Sequence, residues 1–192
     1  MRHVLILENA ELAVYGLWAL WGGSWLLAGL TAAKAERRPK NAGERVAVLL
    51  VFVGFGLLFK PTFASERFWL SPPTVQWALG ALTVAALAFC WWARLHLGAL
   101  WSFRTTAKAG HHVVDTGPYG LVRHPIYTGI LAAALAKALL GASLLAFAGL
   151  AALALAFWLK ARVEEQFLAQ ALGRDEYAAY ARRVRRLIPH IL

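Results

Sequence analysis

Two well-separated stretches hold the side chains in this sequence best suited to chemistry. One is residues 116–129, Thr-Gly-Pro-Tyr-Gly-Leu-Val-Arg-His-Pro-Ile-Tyr-Thr-Gly, and the other is Arg162-Val163-Glu164-Glu165. In the first, Gly117-Pro118 forces a turn and Pro125 suits the first position of a helix. The residue before a proline is pushed toward extended geometry, so His124 lies at a joint. Arg123 falls just outside that joint and Tyr127 in the first helical turn. A helix start exposes N–H groups that attract an anion, and a neighbouring arginine strengthens that pull. The same residues would equally anchor a chain at a membrane surface, where Arg and Tyr belong in any case. Read locally, the two interpretations balance.

Glu164-Glu165 breaks the tie. If the chain doubles back between the two stretches, these carboxylates come to lie close to Arg123 and His124. Adjacent residues stand about 100° apart around a helix. One carboxylate is then expected to face the bundle and the other to meet solvent or Arg162. Ionisable groups gathered at membrane depth mark a functional site.

The elements that must position these groups are apolar helices. The chain has 192 residues, 60% of them hydrophobic and only 16% charged, with nine tryptophans. A soluble domain is nearer half apolar and a quarter charged, so this is an integral-membrane composition. A span needs roughly 20 apolar residues. Leu12–Ala33 and Val75–Leu97 supply that, and Pro72-Pro73 suits the start of the latter. Val46–Phe59 is short, with Lys60 able to snorkel and Thr62–Ala64 to extend it. Ile126–Leu159 is too long for one straight span and carries a turn candidate at Gly141-Ala142-Ser143. The expected fold is therefore all-α, with about five transmembrane helices, the last two forming a tight helical hairpin. Beyond it the helix is expected to run on to Gly173, with Asp175 capping a short amphipathic tail helix. Tyr177, Tyr180, Ala181 and Val184 share one face of that tail, and Arg182, Arg183, Arg185 and Arg186 the other. Residues 1–93 form an amino-terminal group of spans, and residues 94–192 carry the loop, hairpin and tail.

Charge supports this layout. Sixteen Lys and Arg fall on the side of loop 34–45, segment 94–125 and the tail, against Arg2, Lys60 and Arg67 on the other. By the positive-inside rule the amino terminus lies outside, and the carboxyl terminus and candidate site are cytoplasmic. The net charge of +10 is thereby accounted for by topology and anionic headgroups, not by nucleic acid. A single Cys90 excludes a disulfide framework. His111-His112 and Asp115 lack metal-ligand spacing, so no metal is expected. Lys137 is expected near the outer hairpin turn, snorkelling to the surface. Trp91, Trp92 and Trp101 read as packing and interface residues. No phosphate loop, dinucleotide fingerprint or serine-nucleophile motif is present.

The order of these residues resembles a known family. Gly117-Pro118-Tyr119, Arg123-His124-Pro125-x-Tyr127-x-Gly129, an apolar hairpin, Arg162-x-Glu164-Glu165, then Gly173, Tyr177, Tyr180 and a closing Leu187-Ile188-Pro189 together resemble the isoprenylcysteine carboxyl methyltransferases. Related phospholipid N-methyltransferases share much of this region. The resemblance covers about residues 94–192. It implies S-adenosylmethionine as cofactor, bound at the cytoplasmic ends of the last helices and beneath the tail, and methyl transfer to a lipophilic, membrane-embedded acceptor. Carried over by position, it implies a site of His112, Val114, Gly117, Tyr119, Arg123, His124, Pro125, Tyr127, Glu164 and Glu165. Arg123, His124 and Glu165 are its expected catalytic members. Lys137 departs from the family pattern, which keeps that position small or apolar. A carboxylate acceptor needs no strong base, being ionised at pH 7, whereas an amine would need Glu165 or His124 as proton acceptor. The prenylcysteine-type carboxylate is the leading expectation. The alternatives are a phospholipid amine, a nicotinamide-dependent membrane reductase sharing the Arg-His-Pro-x-Tyr element, and a non-enzymatic membrane protein. Membrane lipids and the lipophilic substrate are the expected partners; no obligate protein partner is inferred.

Overall fold

The computed structural model of the chain describes residues 2–30, 42–61, 66–101 and 113–189. His112, the proposed extension at Thr62–Ala64 and the cations Lys34, Arg37, Arg38, Lys40, Arg104 and Lys108 lie outside them. Every regular element among the described residues is helical: α1 (Arg2–Gly29), α2 (Ala42–Leu58), α3 (Pro73–Leu97), α4 (Pro118–Leu121), α5 (Pro125–Gly141), α6 (Leu144–Leu172) and α7 (Arg174–Arg183). Asn9–Gly29, α3 and α6 are long and apolar enough to cross a bilayer. Helices α2 and α5 have 17 residues each, about 26 Å at 1.5 Å per residue, the lower limit for a span. Large apolar side chains point outward, including Leu20, Phe52 and Leu144 at 74, 72 and 71% exposed. That surface suits lipid, and the chain is an integral-membrane protein.

Local chemistry sets the helix ends. Pro72 precedes α3 with φ −58° and ψ 152°, and Pro73 takes the first helical position, where a missing N–H costs nothing. Between α5 and α6 the chain turns in two residues. Ala142 is left-handed (φ 46°), its N–H reaching the Ala138 carbonyl, and Ser143 caps α6 by accepting from the Ala146 N–H. Gly173 (φ 107°) ends α6 and opens α7 without a side-chain cap. The expected cap, Asp175, lies instead within the first turn of α7, where its charge favours the helix dipole.

Helix pairing rests on small residues. The most extensive contact is α2 against α6, where a Cβ built on Gly149 would lie 2.6 Å from the Leu58 nitrogen and 2.7 Å from the Gly54 carbonyl oxygen. Such backbone approach allows dense dispersion contact without a hydrophobic driving force between spans. Gly149→Ala is therefore expected to lower the apparent Tm in detergent by about 3–10 °C, the scale of core overpacking. A thermal shift assay giving wild-type Tm would refute this close approach.

Lys137 does not snorkel. It is 1% exposed and donates to Glu11 Oε1 at 3.3 Å, with its ammonium 4.8 Å from the Tyr15 ring centroid. Arg67 donates to the other oxygen of Glu11 at 2.6 Å and to the Leu140 carbonyl. The counter-ion is carried to Lys137 by α1, so the cation stays in the bundle and ties α1 to α5.

Candidate functional site

Gly117 starts the site. Its φ of +56° suits glycine, and a Cβ there would lie 2.7 Å from the His96 ring. The single turn of α4 follows, and Val122 then runs extended beside the tail, bridging Arg185 in parallel fashion. The Arg123 N–H donates to the Arg185 carbonyl (2.7 Å) and the His124 N–H to that of Arg186 (3.1 Å). The tail is thus stitched to the segment entering α5, and Thr128 Oγ1 adds a bond to the Leu187 carbonyl.

Glu165 sits at the centre of this stitching. It accepts from Arg123 Nε (2.9 Å), His124 Nε2 (3.1 Å), and Arg186 Nε and Nη2 (3.0 and 2.7 Å). The two-pronged contact to Arg186 has the planar geometry that makes guanidinium–carboxylate pairs strong, and it raises the Arg186 pKa. Arg123 Nη1 also donates to the carbonyls of Ala181 and Val184, satisfying the end of α7. Of Arg123's donors only Nη2 is left uncommitted among the described residues. The expectation that Arg123 binds an anionic ligand group narrows to that nitrogen.

Glu164 is held differently. The Tyr127 hydroxyl donates to its Oε2 at 2.7 Å, and His124 Nδ1 lies 3.8 Å from the same oxygen. The Tyr127 ring is stacked between His124 and Phe157, at 5.2 and 4.9 Å between centroids. Both carboxylates therefore face the bundle, in place of one in and one out, and Arg162 rests over the Trp158 ring. Glu164 lines the cavity described next; Glu165 is not among its lining residues.

That cavity, about 440 Å³, has a polar and an apolar end. Arg123, His124, Lys160, Glu164, Tyr119 and Tyr177 form the first; Trp21, Trp25, Phe52, Phe55, Ile130 and Phe157 form the second. Its size falls in the range of small-molecule sites, about 300–1,000 Å³. Phe52 is mostly exposed, so the cavity reaches the outer face of α2. Burial raises the pKa of the Tyr119, Tyr177 and Tyr180 phenols, keeping them neutral donors. The Tyr180 hydroxyl spends its proton on the Tyr119 carbonyl at 2.8 Å.

Of the sequence-derived set, Val114, Tyr119, Arg123, His124, Pro125, Tyr127 and Glu164 line this cavity. Gly117 shapes the turn behind it, and Glu165 braces it from outside. Sequence reasoning missed Lys160, which lines the cavity one helical turn before Glu164, and Trp101, which it read as packing. It also missed Arg186, which it placed on the solvated face of the tail with its neighbours. Lys160 had a signal, since positions four apart share a helix face.

Comparison with known proteins bears on this region. Residues 78–170 match the model of the isoprenylcysteine carboxyl methyltransferase (ICMT) family. That range runs from within α3 to the last turn of α6 and takes in every sequence-derived site residue. One relative, the cobalt-zinc-cadmium resistance protein CzcN of Cupriavidus metallidurans, is 34% identical over 156 residues, which is 77% of this chain. The match spans 65% of that relative's length.

Proposed function

We propose, from the membership of residues 78–170 in the isoprenylcysteine carboxyl methyltransferase family, that this chain is an integral-membrane methyltransferase. It uses S-adenosylmethionine and methylates an anionic, lipophilic acceptor, a prenylcysteine-type carboxylate being the leading case. All five long helices cross the bilayer in this reading, with α5 and α6 a hairpin. The amino terminus lies outside, and the site opens at the cytoplasmic surface.

The observation that carries it is the single cavity with a charged end and an aromatic–aliphatic end. The cofactor presents a carboxylate, an ammonium, ribose hydroxyls, a sulfonium and an aromatic base. Arg123 Nη2 and Lys160 suit the carboxylate, the Oε1 of Glu164, which takes no hydrogen bond among the described residues, suits the ammonium or ribose, and tyrosine faces suit the cation and base. When bound, the cofactor supplies an electrophilic methyl group. The chain's own residues then align the acceptor and exclude water, which is where the rate arises. With Arg123 and Lys160 against one lining carboxylate, Glu164, the polar end favours an anionic acceptor over an amine. Such an acceptor is already ionised and asks no proton of His124.

Among the described residues no group of three or more His, Cys, Asp or Glu is placed to hold a metal ion, and the metal-resistance name of the relative is not carried over. The test is direct. Purified protein in detergent is expected to bind S-adenosylmethionine by isothermal titration and to transfer radiolabelled methyl to a prenylcysteine as a base-labile ester. Folded wild-type protein that binds no cofactor sinks the proposal; stable label in a lipid headgroup moves the acceptor to an amine.

A further inference from the structure

Arg94, in the last turn of α3, is a cation inside the bundle, 7% exposed. No carboxylate pairs with it among the described residues. Its Nη2 donates to the Ala28 carbonyl near the end of α1, and its Nη1 is buried without a hydrogen-bond acceptor among those residues. Three indole rings surround it instead. The guanidinium carbon lies 3.5 Å from the Trp101 ring centroid, 5.4 Å from that of Trp25 and 5.9 Å from that of Trp91. Trp25 meets Trp91 and Trp101 edge-on, at 5.5 and 5.4 Å between centroids.

A guanidinium taken out of water has to be compensated, and the negative faces of indole rings do this where no carboxylate is near. The attraction is mutual, so the cation also fixes the rings. Trp101 gains most from this, because it follows α3 by only the short turn Gly98–Leu100 and has no helix of its own to set its direction. Two of the three rings, Trp25 and Trp101, line the main cavity, whereas Arg94 does not. The groups suited to the cofactor reach the cavity from α4, the start of α5, α6 and α7. Trp25 and Trp101 reach it from α1 and the end of α3. Trp25 lies 4.8 Å from Trp21, ring to ring, so this wall runs on into the apolar end of the cavity.

We propose that Arg94 is a positioning residue, which holds Trp25 and Trp101 as the wall against which the lipophilic body of the methyl acceptor rests. It touches neither acceptor nor cofactor and acts through the two rings. Only the word acceptor rests on the methyltransferase reading; the cage and its place behind the wall do not.

Full-length protein in detergent is titrated with N-acetyl-S-farnesylcysteine, read by displacement of a dansylated farnesyl probe, and separately with S-adenosylmethionine. Arg94→Met keeps the length of the side chain without its charge. It is expected to weaken the farnesyl ligand about tenfold, the scale of one desolvated cation–π contact, and to leave cofactor affinity within about twofold of wild type. Arg94→Lys keeps the charge but not the planar fork, and should lose only about threefold. Trp101→Leu should weaken the farnesyl ligand as Arg94→Met does. Adding Arg94→Met to it should then cost no more than about threefold further, because most of the effect of the cation passes through that ring. Three results overturn the proposal: wild type that does not bind the farnesyl ligand, Arg94→Met that binds it as wild type does or loses cofactor equally, and a full tenfold further loss in the Trp101→Leu background. Should Arg94→Met fail to fold, unchanged farnesyl affinity in Arg94→Lys overturns it in the same way. Wild type that binds the farnesyl ligand but no S-adenosylmethionine strikes the methyltransferase reading alone, and the farnesyl titrations still decide the role of Arg94.

Discussion

Replacing Glu165 with alanine is expected to free the carboxyl-terminal tail and abolish cofactor binding in one step. The carboxylate, 12% exposed, is the shared acceptor for Arg123, His124 and Arg186. Removing one partner from a buried ion pair costs about 3–5 kcal/mol, because the remaining charge stays desolvated and unpaired. Here two guanidinium groups and an imidazole lose their acceptor together. Arg123 also holds the end of α7 through the Ala181 and Val184 carbonyls, so its displacement should loosen the tail as well as the turn. Tyr177 and Tyr180 of α7 line the cavity. A detached tail therefore removes one wall of it. Two readouts are expected to move together: S-adenosylmethionine affinity falls at least about 100-fold, and trypsin cuts near Arg182 and Arg183 much faster than in wild type. Tryptic cleavage at the wild-type rate would show that the tail is held without Glu165.

What was legible in the sequence follows from how local each signal is. Helix boundaries at Pro73, Pro125 and Gly173 were readable because proline and glycine act within their own turn. The meeting of Arg123 and His124 with Glu165 was readable because the turn at Ala142 and Ser143 brings the start of α5 and this part of α6 together. Arg186 was not readable. It is one of four arginines in a five-residue run, and only the bridge between Val122 and Arg185 decides which of them turns inward. A single bridged pair leaves no alternating pattern to detect. Lys137 misled for the same reason, since its counter-ion Glu11 lies 126 positions away and no periodicity links them. The inward face of α1 was likewise hidden. Tryptophans in a span read as interface packing, and nothing local tells that Trp21 and Trp25 line a cavity.

Glu164→Gln should separate what Glu165→Ala confounds. Among the described residues Glu164 makes no hydrogen bond or ion pair to the tail; its bond there is from the Tyr127 hydroxyl, and its side chain is 28% exposed at the cavity. Glutamine keeps the shape and an oxygen for Tyr127, but loses the charge offered to an ammonium or ribose. A hydrogen bond to a charged group is worth about 1.5–3 kcal/mol, so cofactor affinity is expected to fall about 10- to 100-fold. Apparent Tm and tryptic cleavage of the tail should stay at wild-type values, because no ion pair that stitches the fold has been touched. Tyr127→Phe supplies the control. It leaves the carboxylate charged but unbraced, and should weaken binding by a smaller factor, about fivefold. Adding Tyr127→Phe to Glu164→Gln should then cost less than the two single effects together, since both act through one side chain. If Glu164→Gln instead releases the tail, the two adjacent carboxylates share a bracing role and the polar end of the cavity has lost its candidate for the cofactor's cation. If it binds cofactor as tightly as wild type, Glu164 faces the cavity without serving it.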